Sequence, residues 1–351
     1  EGADALQELD ALSLDPSTGR VTSYPLGAGG PEGESVACGA PSGLVLSEDE
    51  SVAFVHCRST HRVVAVQLGG ADGVAISPPS PVVGQAIGRE PLSEKAALGR
   101  RAFYLATDAV LSDGAACASC HPEGRDDGHV WHQDHFERRD GGALEESRLH
   151  AFEILGTPEP GLGMPRQTPM LAGRVDRQGP YGWKGHSPTL RHRAIVGFGL
   201  HRWFGGNPEQ GAARRIELAE GLVAFLREGL RPLPAFERPL SAEEERGRAL
   251  FESPAVGCAT CHDPKTGHTN GSLAELPLLP VDTTRFDAEA ESDTRFKTPS
   301  LIGLRNSAPY LHDGSAATLE ALIDQNGSRM GNTGQLDKTS RAALVAYLKT
   351  L

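Results

Sequence analysis

The pentapeptide Cys-x-x-Cys-His occurs twice, as Cys117-Ala118-Ser119-Cys120-His121 and as Cys258-Ala259-Thr260-Cys261-His262. The two copies use four of the six cysteines in a chain of 351 residues. The surrounding sequence repeats too. "LGRRAF" at 98–103 precedes the first motif and "RGRALF" at 246–251 the second. "QTPML" (167–171) parallels "KTPSL" (297–301), and "PYGWKGHSPTL" (180–190) aligns without gaps with "PYLHDGSAATL" (309–319). In that register Trp183 stands opposite His312, Lys184 opposite Asp313 and Gly185 opposite Gly314. Two domains descended from one unit is the economical reading.

Three chemistries use paired cysteines at this spacing. A zinc site would need both pairs in one tetrahedral shell, yet about 140 residues separate them and each lies in its own repeat. A thioredoxin-like redox pair needs a βαβ setting, and the flanks here carry helical patterning instead. Covalent attachment of haem c suits the motif for a mechanical reason. The two thiols form thioethers to the vinyl groups, and the adjacent His then lies beneath the iron as proximal ligand. We therefore expect two covalently bound haem c groups, on Cys117, Cys120 and His121 and on Cys258, Cys261 and His262.

Composition agrees. With 42 glycines, 25 prolines and only 5% aromatic residues, the chain is loop-rich and short of bulky core side chains. A haem is a large apolar filler that such a chain can wrap. A net charge of −12 argues against a nucleic-acid partner, because phosphate binding needs clustered Lys and Arg. No apolar run approaches the ~20 residues of a membrane-spanning helix. The chain opens on Glu1-Gly2-Ala3-Asp4 without a leader pattern, which we expect of a processed form. Haem c is attached outside the cytoplasm in bacteria, so a periplasmic or otherwise extracytoplasmic setting follows.

The fold class expected is mainly α: two cytochrome c-like haem domains, 86–235 and 236–351, related by internal repeat and preceded by a β-rich segment at 1–85. In that segment "SVAFVHC" and "HRVVAVQL" alternate as a strand pair, with a hairpin turn at Arg58-Ser59-Thr60. The pair resembles strands of β-propeller repeats. Too few strands are present to close a propeller, so the segment is either a remnant packed on the rest of the chain or part of a propeller whose missing blades lie on another segment or chain. Cys38 and Cys57 fall here, as buried small hydrophobes or as a disulfide; an oxidising compartment favours the disulfide. Helices are expected over "SEKAALGRRAFYLA" with Ser93 as cap, over 211–230, over "SAEEERGRALFESP" with Ser241 as cap, and over "TSRAALVAYLKTL".

The flanks "LGRRAF" and "RGRALF", with "FKTPSLIGLRNSAPYLHDGSAATLEALI" (296–323), resemble the bacterial di-haem cytochrome c peroxidase family, which includes MauG-type oxidases of partner proteins. The resemblance spans about 90–351 and is looser between 122 and 200. It implies that hydrogen peroxide reacts at the haem on His121 while the haem on His262 transfers electrons. The donor would be a small protein such as a cytochrome c or cupredoxin. In a MauG-like enzyme a protein substrate takes that place.

The family's "W-D-G-R" stretch matches Trp183-Lys184-Gly185-His186, making Trp183 the candidate electron relay. The second axial ligand of the electron-transfer haem falls, by register, on Asn326, a poor iron ligand. Met330, four residues on, offers a soft thioether that raises the potential. Applying the same offset to the first repeat lands on His201, the candidate distal residue of the other haem. His192, His186, His132 and His135 are its competitors. The family's distal glutamate has no carboxylate in register near Trp203. A family calcium site maps to the carbonyls of Ser307 and Pro309, with Gln167 in place of the usual Asn.

Overall fold

The structure, a computed structural model, describes residues 10–15, 20–25, 38, 40–68, 84–104, 116–133, 164–175, 179–200, 212–230, 238–276 and 295–351. The chain divides into two compact units, one of residues 1–117 and 201–225, the other of residues 118–200 and 226–351. Among the described residues no helix is long and apolar enough to cross a membrane.

The first unit opens with an antiparallel hairpin, β1 (Asp10–Asp15) and β2 (Arg20–Pro25). A four-stranded antiparallel meander follows: β3 (Pro41–Leu46), β4 (Val52–Cys57), β5 (Arg62–Gln67) and β6 (Gly84–Ala86). The expected hairpin joins β4 to β5, with Cys57 paired to Arg62. Period-two alternation puts Ala53, Val55, Cys57, Val64 and Val66 on one buried face. Cys38 and Cys57 are bonded to each other beneath that face. Helix α1 (Glu94–Tyr104) starts where Ser93 Oγ accepts from Ala96 N. Gly99 lets α1 lie against a later helix: a Cβ there would come within 1.8 Å of Gly221 O.

The first pentapeptide forms a single helical turn, α2 (Cys117–Cys120). In the second unit, β7 (Val130–Gln133) pairs antiparallel with β8 (Met164–Gln167), and α3 (Leu190–Leu200) follows. Helix α4 (Ala212–Glu228) carries Gly221, the residue that faces Gly99.

Helix α5 (Ala242–Glu252) has the capping box its sequence announces: Ser241 Oγ accepts from Glu244 N, and the Glu244 carboxylate accepts from Ser241 N. Beyond the second pentapeptide come β9 (Leu273–Glu275) and β10 (Arg295–Lys297), an antiparallel pair, then α6 (Leu319–Asn326) and α7 (Lys338–Leu348). Helices α5 and α7 approach backbone to backbone at Gly247, where a Cβ would meet Ala343 O at 1.9 Å. Gly99 and Gly247 hold the same place in "LGRRAF" and "RGRALF", and each serves a close helix contact.

The aligned segments 180–190 and 309–319 share local geometry. Each has an isolated antiparallel bridge, Tyr181 with Ser187 and Tyr310 with Ala316. Each has a left-handed glycine, Gly185 at φ 65° and Gly314 at φ 66°. Each then enters a helix capped by threonine: Thr189 Oγ1 accepts from His192 N, and Thr318 Oγ1 from Ala321 N. The two copies also exchange backbone hydrogen bonds, Gln167 N to His312 O at 2.6 Å and Lys297 N to Trp183 O at 2.8 Å. Gln167 aligns with Lys297 and Trp183 with His312, so the exchange is reciprocal.

Candidate functional site

The second pentapeptide is a short 3₁₀ turn, Cys258–Thr260, entered through Gly257 in the left-handed region at φ 84°. His262 N closes it on Cys258 O at 3.0 Å. The His262 ring is oriented from outside: Nδ1 lies 3.0 Å from His268 O. With Nδ1–H given to that carbonyl, Nε2 is the lone pair left for a metal. Burial pushes His262 below its ordinary pKa and so favours the neutral imidazole that ligation requires.

Cys258, Cys261 and His262 line a cavity of about 300 Å³. Apolar side chains, among them Phe251, Leu304, Leu322, Ile323, Leu344 and Leu348, make up much of its wall. Met330 lines it too. Sequence spacing put Met330 one helical turn beyond Asn326, but α6 stops at Asn326, and Met330 comes from the turn that follows.

Asn326 is fully buried and grips that turn. Its Oδ1 accepts from Met330 N at 2.9 Å, while its Nδ2 donates to Gly331 O at 2.9 Å and to Thr333 Oγ1 at 3.0 Å. Gly331, at φ 101°, admits the turn against the pentapeptide: a Cβ would stand 2.7 Å from Val256 O and 3.3 Å from Cys258 Sγ. The residue in the family's ligand register is thus a strut for its neighbour.

Trp183 lines the same cavity and donates from Nε1 to Gln167 O at 2.8 Å. Its ring meets the buried His312 edge to face, centroids 6.4 Å apart, and His312 packs on Phe296 at 3.9 Å. Lys184 Nζ sits 3.8 Å from the centroid of Phe296. Gln167, Ser307 and Pro309, the candidate calcium residues, all line this cavity. Ser307 Oγ donates to Asp126 Oδ2 at 2.6 Å, so a carboxylate adjoins them; burial raises the Asp126 pKa. Among the described residues no group of three or more His, Cys, Asp or Glu is placed to hold a metal ion.

Sequence reasoning missed three cations in the cavity lining, Arg174, Lys297 and Arg329. Arg174 donates from Nε to Ile302 O at 2.6 Å, and burial lowers its pKa to about 10 against the pull of Asp126. Lys297 is lowered by burial and then by the nearby Arg174. A signal for Arg174 did exist: it stands opposite Leu304 in the repeat, a charge where the other copy is apolar.

At the first pentapeptide, Cys117, Cys120 and His121 are half-buried, and burial raises the Cys120 thiol pKa. Burial also drives Cys258 up, to about 11. All four pentapeptide cysteines are outside disulfides. His201 and His135 lie outside the described residues, as does the side chain of His132. Of their competitors, His192 is buried on α3 and His186 is exposed.

No family model matches the chain. Curated relatives do. The methylamine utilization protein MauG of Methylorubrum extorquens is 31% identical over 183 residues, 46% of this chain and 51% of that protein. The cytochrome c551 peroxidase of Nitrosomonas europaea is 31% identical over 121 residues, 32% of this chain and 35% of that protein. The chain resembles the di-haem peroxidase and MauG-like family.

The chain spans about half the length of the first of these relatives and a third of the second. A solved structure of Kuenenia stuttgartiensis hydrazine synthase has the same fold, with a TM-score of 0.52 at 21% identity, covering 75% of this chain and 89% of that one. The likeness to MauG and to the cytochrome c peroxidase implies two c-type haems, and the cavity fits one of them. Two thiols, an oriented imidazole and a thioether meet around an apolar space. Arg174 also lines it, with a buried Nη2 that has no hydrogen-bond partner among the described residues.

Proposed function

We propose that the chain is an extracytoplasmic di-haem c oxidoreductase of the peroxidase type. Hydrogen peroxide is reduced at the haem on His121, and electrons from a small donor protein enter at the haem on His262. The observation that carries this reading is the meeting of His262, Met330 and Trp183 on one cavity. A His–Met pair is the ligation of an electron-transfer haem, because the soft thioether favours the reduced iron. The bound haem supplies the redox chemistry.

This chain's own residues do the rest. His268 O orients the His262 ring, Asn326 presents Met330, and the apolar wall excludes water. Trp183 is the relay in this reading, its indole held by Gln167 O. His201 is assigned the distal side of the other haem. Calcium is assigned to the carbonyls of Ser307 and Pro309 with Gln167. The division into 1–85, 86–235 and 236–351, the descent of the two haem domains from one unit, and the kinship of 1–85 with propeller blades belong to the same proposal.

A second reading, a MauG-like oxidase acting on a partner protein, is supported by the MauG relative and by the missing distal carboxylate near Trp203. Electron paramagnetic resonance and optical spectra, oxidised and half-reduced, with and without peroxide, test both. A five-coordinate haem that reacts with peroxide supports an enzyme, and turnover with a reduced cytochrome favours the peroxidase. Two haems that stay six-coordinate and ignore peroxide in every redox state would leave only an electron carrier.

A further inference from the structure

We propose that Arg174, together with Lys297 and Gln167, forms a carboxylate clamp that holds the propionate groups of the haem attached at Cys258 and Cys261. The inference rests on the haem reading of the cavity and not on which reaction the haem serves.

Arg174 Nη2 is buried and has no hydrogen-bond partner among the described residues. The Nε of the same guanidinium is already committed to Ile302 O. A buried guanidinium left half-satisfied is costly, and the cost disappears when a carboxylate meets it. Asp126 is the carboxylate that pulls on it electrostatically. No salt bridge joins them, and the Asp126 carboxylate already accepts from Ser307 Oγ. Tyr310 and Lys297 are the other titratable groups that act with Arg174.

A second such donor stands in the same cavity lining: Gln167 Nε2, also buried with no partner among the described residues. Lys297, a second cation in that lining, makes no ion pair with a described residue. Arg174, Lys297 and a spare amide donor on one cavity, which Arg329 also lines, call for anionic groups. A haem bound through Cys258 and Cys261 brings two carboxylates on one edge, with its apolar face left for the leucine-rich wall. Arg174 and Gln167 come from the first repeat and Lys297 from the second, so the clamp exists only where the copies meet.

The test uses the purified di-haem protein, with both haem attachments verified by intact mass. Resonance Raman reads the propionate bending mode, and a potentiometric titration reads the C-terminal haem. Arg174→Gln should move the bending mode and lower that haem's midpoint potential, since a cation near the iron favours the reduced state. Arg174→Lys should recover the potential more fully than the band. An unchanged band and potential in Arg174→Gln, with both haems attached, overturns the clamp. Should that variant fail to load haem, Lys297→Met is measured in its place: a shifted band and a lowered potential support the clamp, and no change in either overturns it. Added inorganic phosphate that alters the wild-type band would assign the cations to a free anion and overturn the propionate assignment. Absence of haem by mass in the wild type would instead sink the cofactor reading itself.

Discussion

Asn326 Oδ1 accepts a hydrogen bond from Met330 N at 2.9 Å, and the same amide donates to Gly331 O on the far side of the methionine. One buried side chain therefore fixes both flanks of the residue assigned as iron ligand. Met330→Ala should abolish low-spin methionine ligation and lower the C-terminal potential. Asn326→Ala leaves Met330 in place but strips its support. Loss of a buried, multiply bonded amide should destabilise the protein by about 2–3 kcal/mol. It should also weaken the methionine signature in the optical spectrum. An unaltered haem spectrum in Met330→Ala would remove Met330 from the coordination sphere.

Trp183 bridges the repeats through its Nε1 bond to Gln167 O and its edge contact with His312. Trp183→Phe keeps the aromatic contact but leaves the Gln167 carbonyl without its indole donor, at a cost of about 1–3 kcal/mol. Inter-haem electron transfer, followed after rapid half-reduction, should slow severalfold with both haems loaded. A rate equal to wild type would make the tryptophan a packing residue.

Gly247 admits the backbone of α7 against α5. Gly247→Ala would thrust a methyl to 1.9 Å from Ala343 O, a main-chain atom with no rotamer to yield. The helices would have to separate, and the thermal midpoint should fall by the equivalent of about 3 kcal/mol or more. The exposed Gly327, with nothing within 4 Å of a Cβ, provides the contrast. Its substitution should cost only the strain of its positive φ.

Glu244 is held at a pKa of about 2, below the ordinary 4.5, first by Arg238 and next by the Ser241 backbone N–H. A depressed carboxylate stabilises the fold above its unfolded pKa, and that contribution disappears as pH falls through the folded value. Stability should therefore decline between about pH 4.5 and 2. Glu244→Gln should start lower at neutral pH and lack this component of the decline. A wild-type and variant difference that is flat across that window would refute the assignment.

Much of the site was legible before the fold was known, because its chemistry is local. Cys-x-x-Cys-His fixes two thiols and an imidazole within one turn, and the capping box of Ser241 and Glu244 spans four residues. The strand alternation around Arg58 and the unusual Met330 were equally readable. Asn326 was left without a role by the sequence, because register alone cannot tell whether an amide faces a cavity or the turn beside it.

The sequence by itself determined where the two Cys-x-x-Cys-His motifs stand, where α1, α4, α5, α7 and the β4–β5 hairpin form, and which positions of the aligned segments correspond. Only the tertiary structure decided that corresponding positions meet: Gln167 N on His312 O, Lys297 N on Trp183 O, and Trp183 against His312. It alone placed Arg174, Lys297 and Gln167 on one cavity. The physical reason is that attachment, capping and alternation depend on spacing along a few residues. A cavity's polar inventory depends on how distant segments close, and each buried donor takes its meaning from the group brought opposite it.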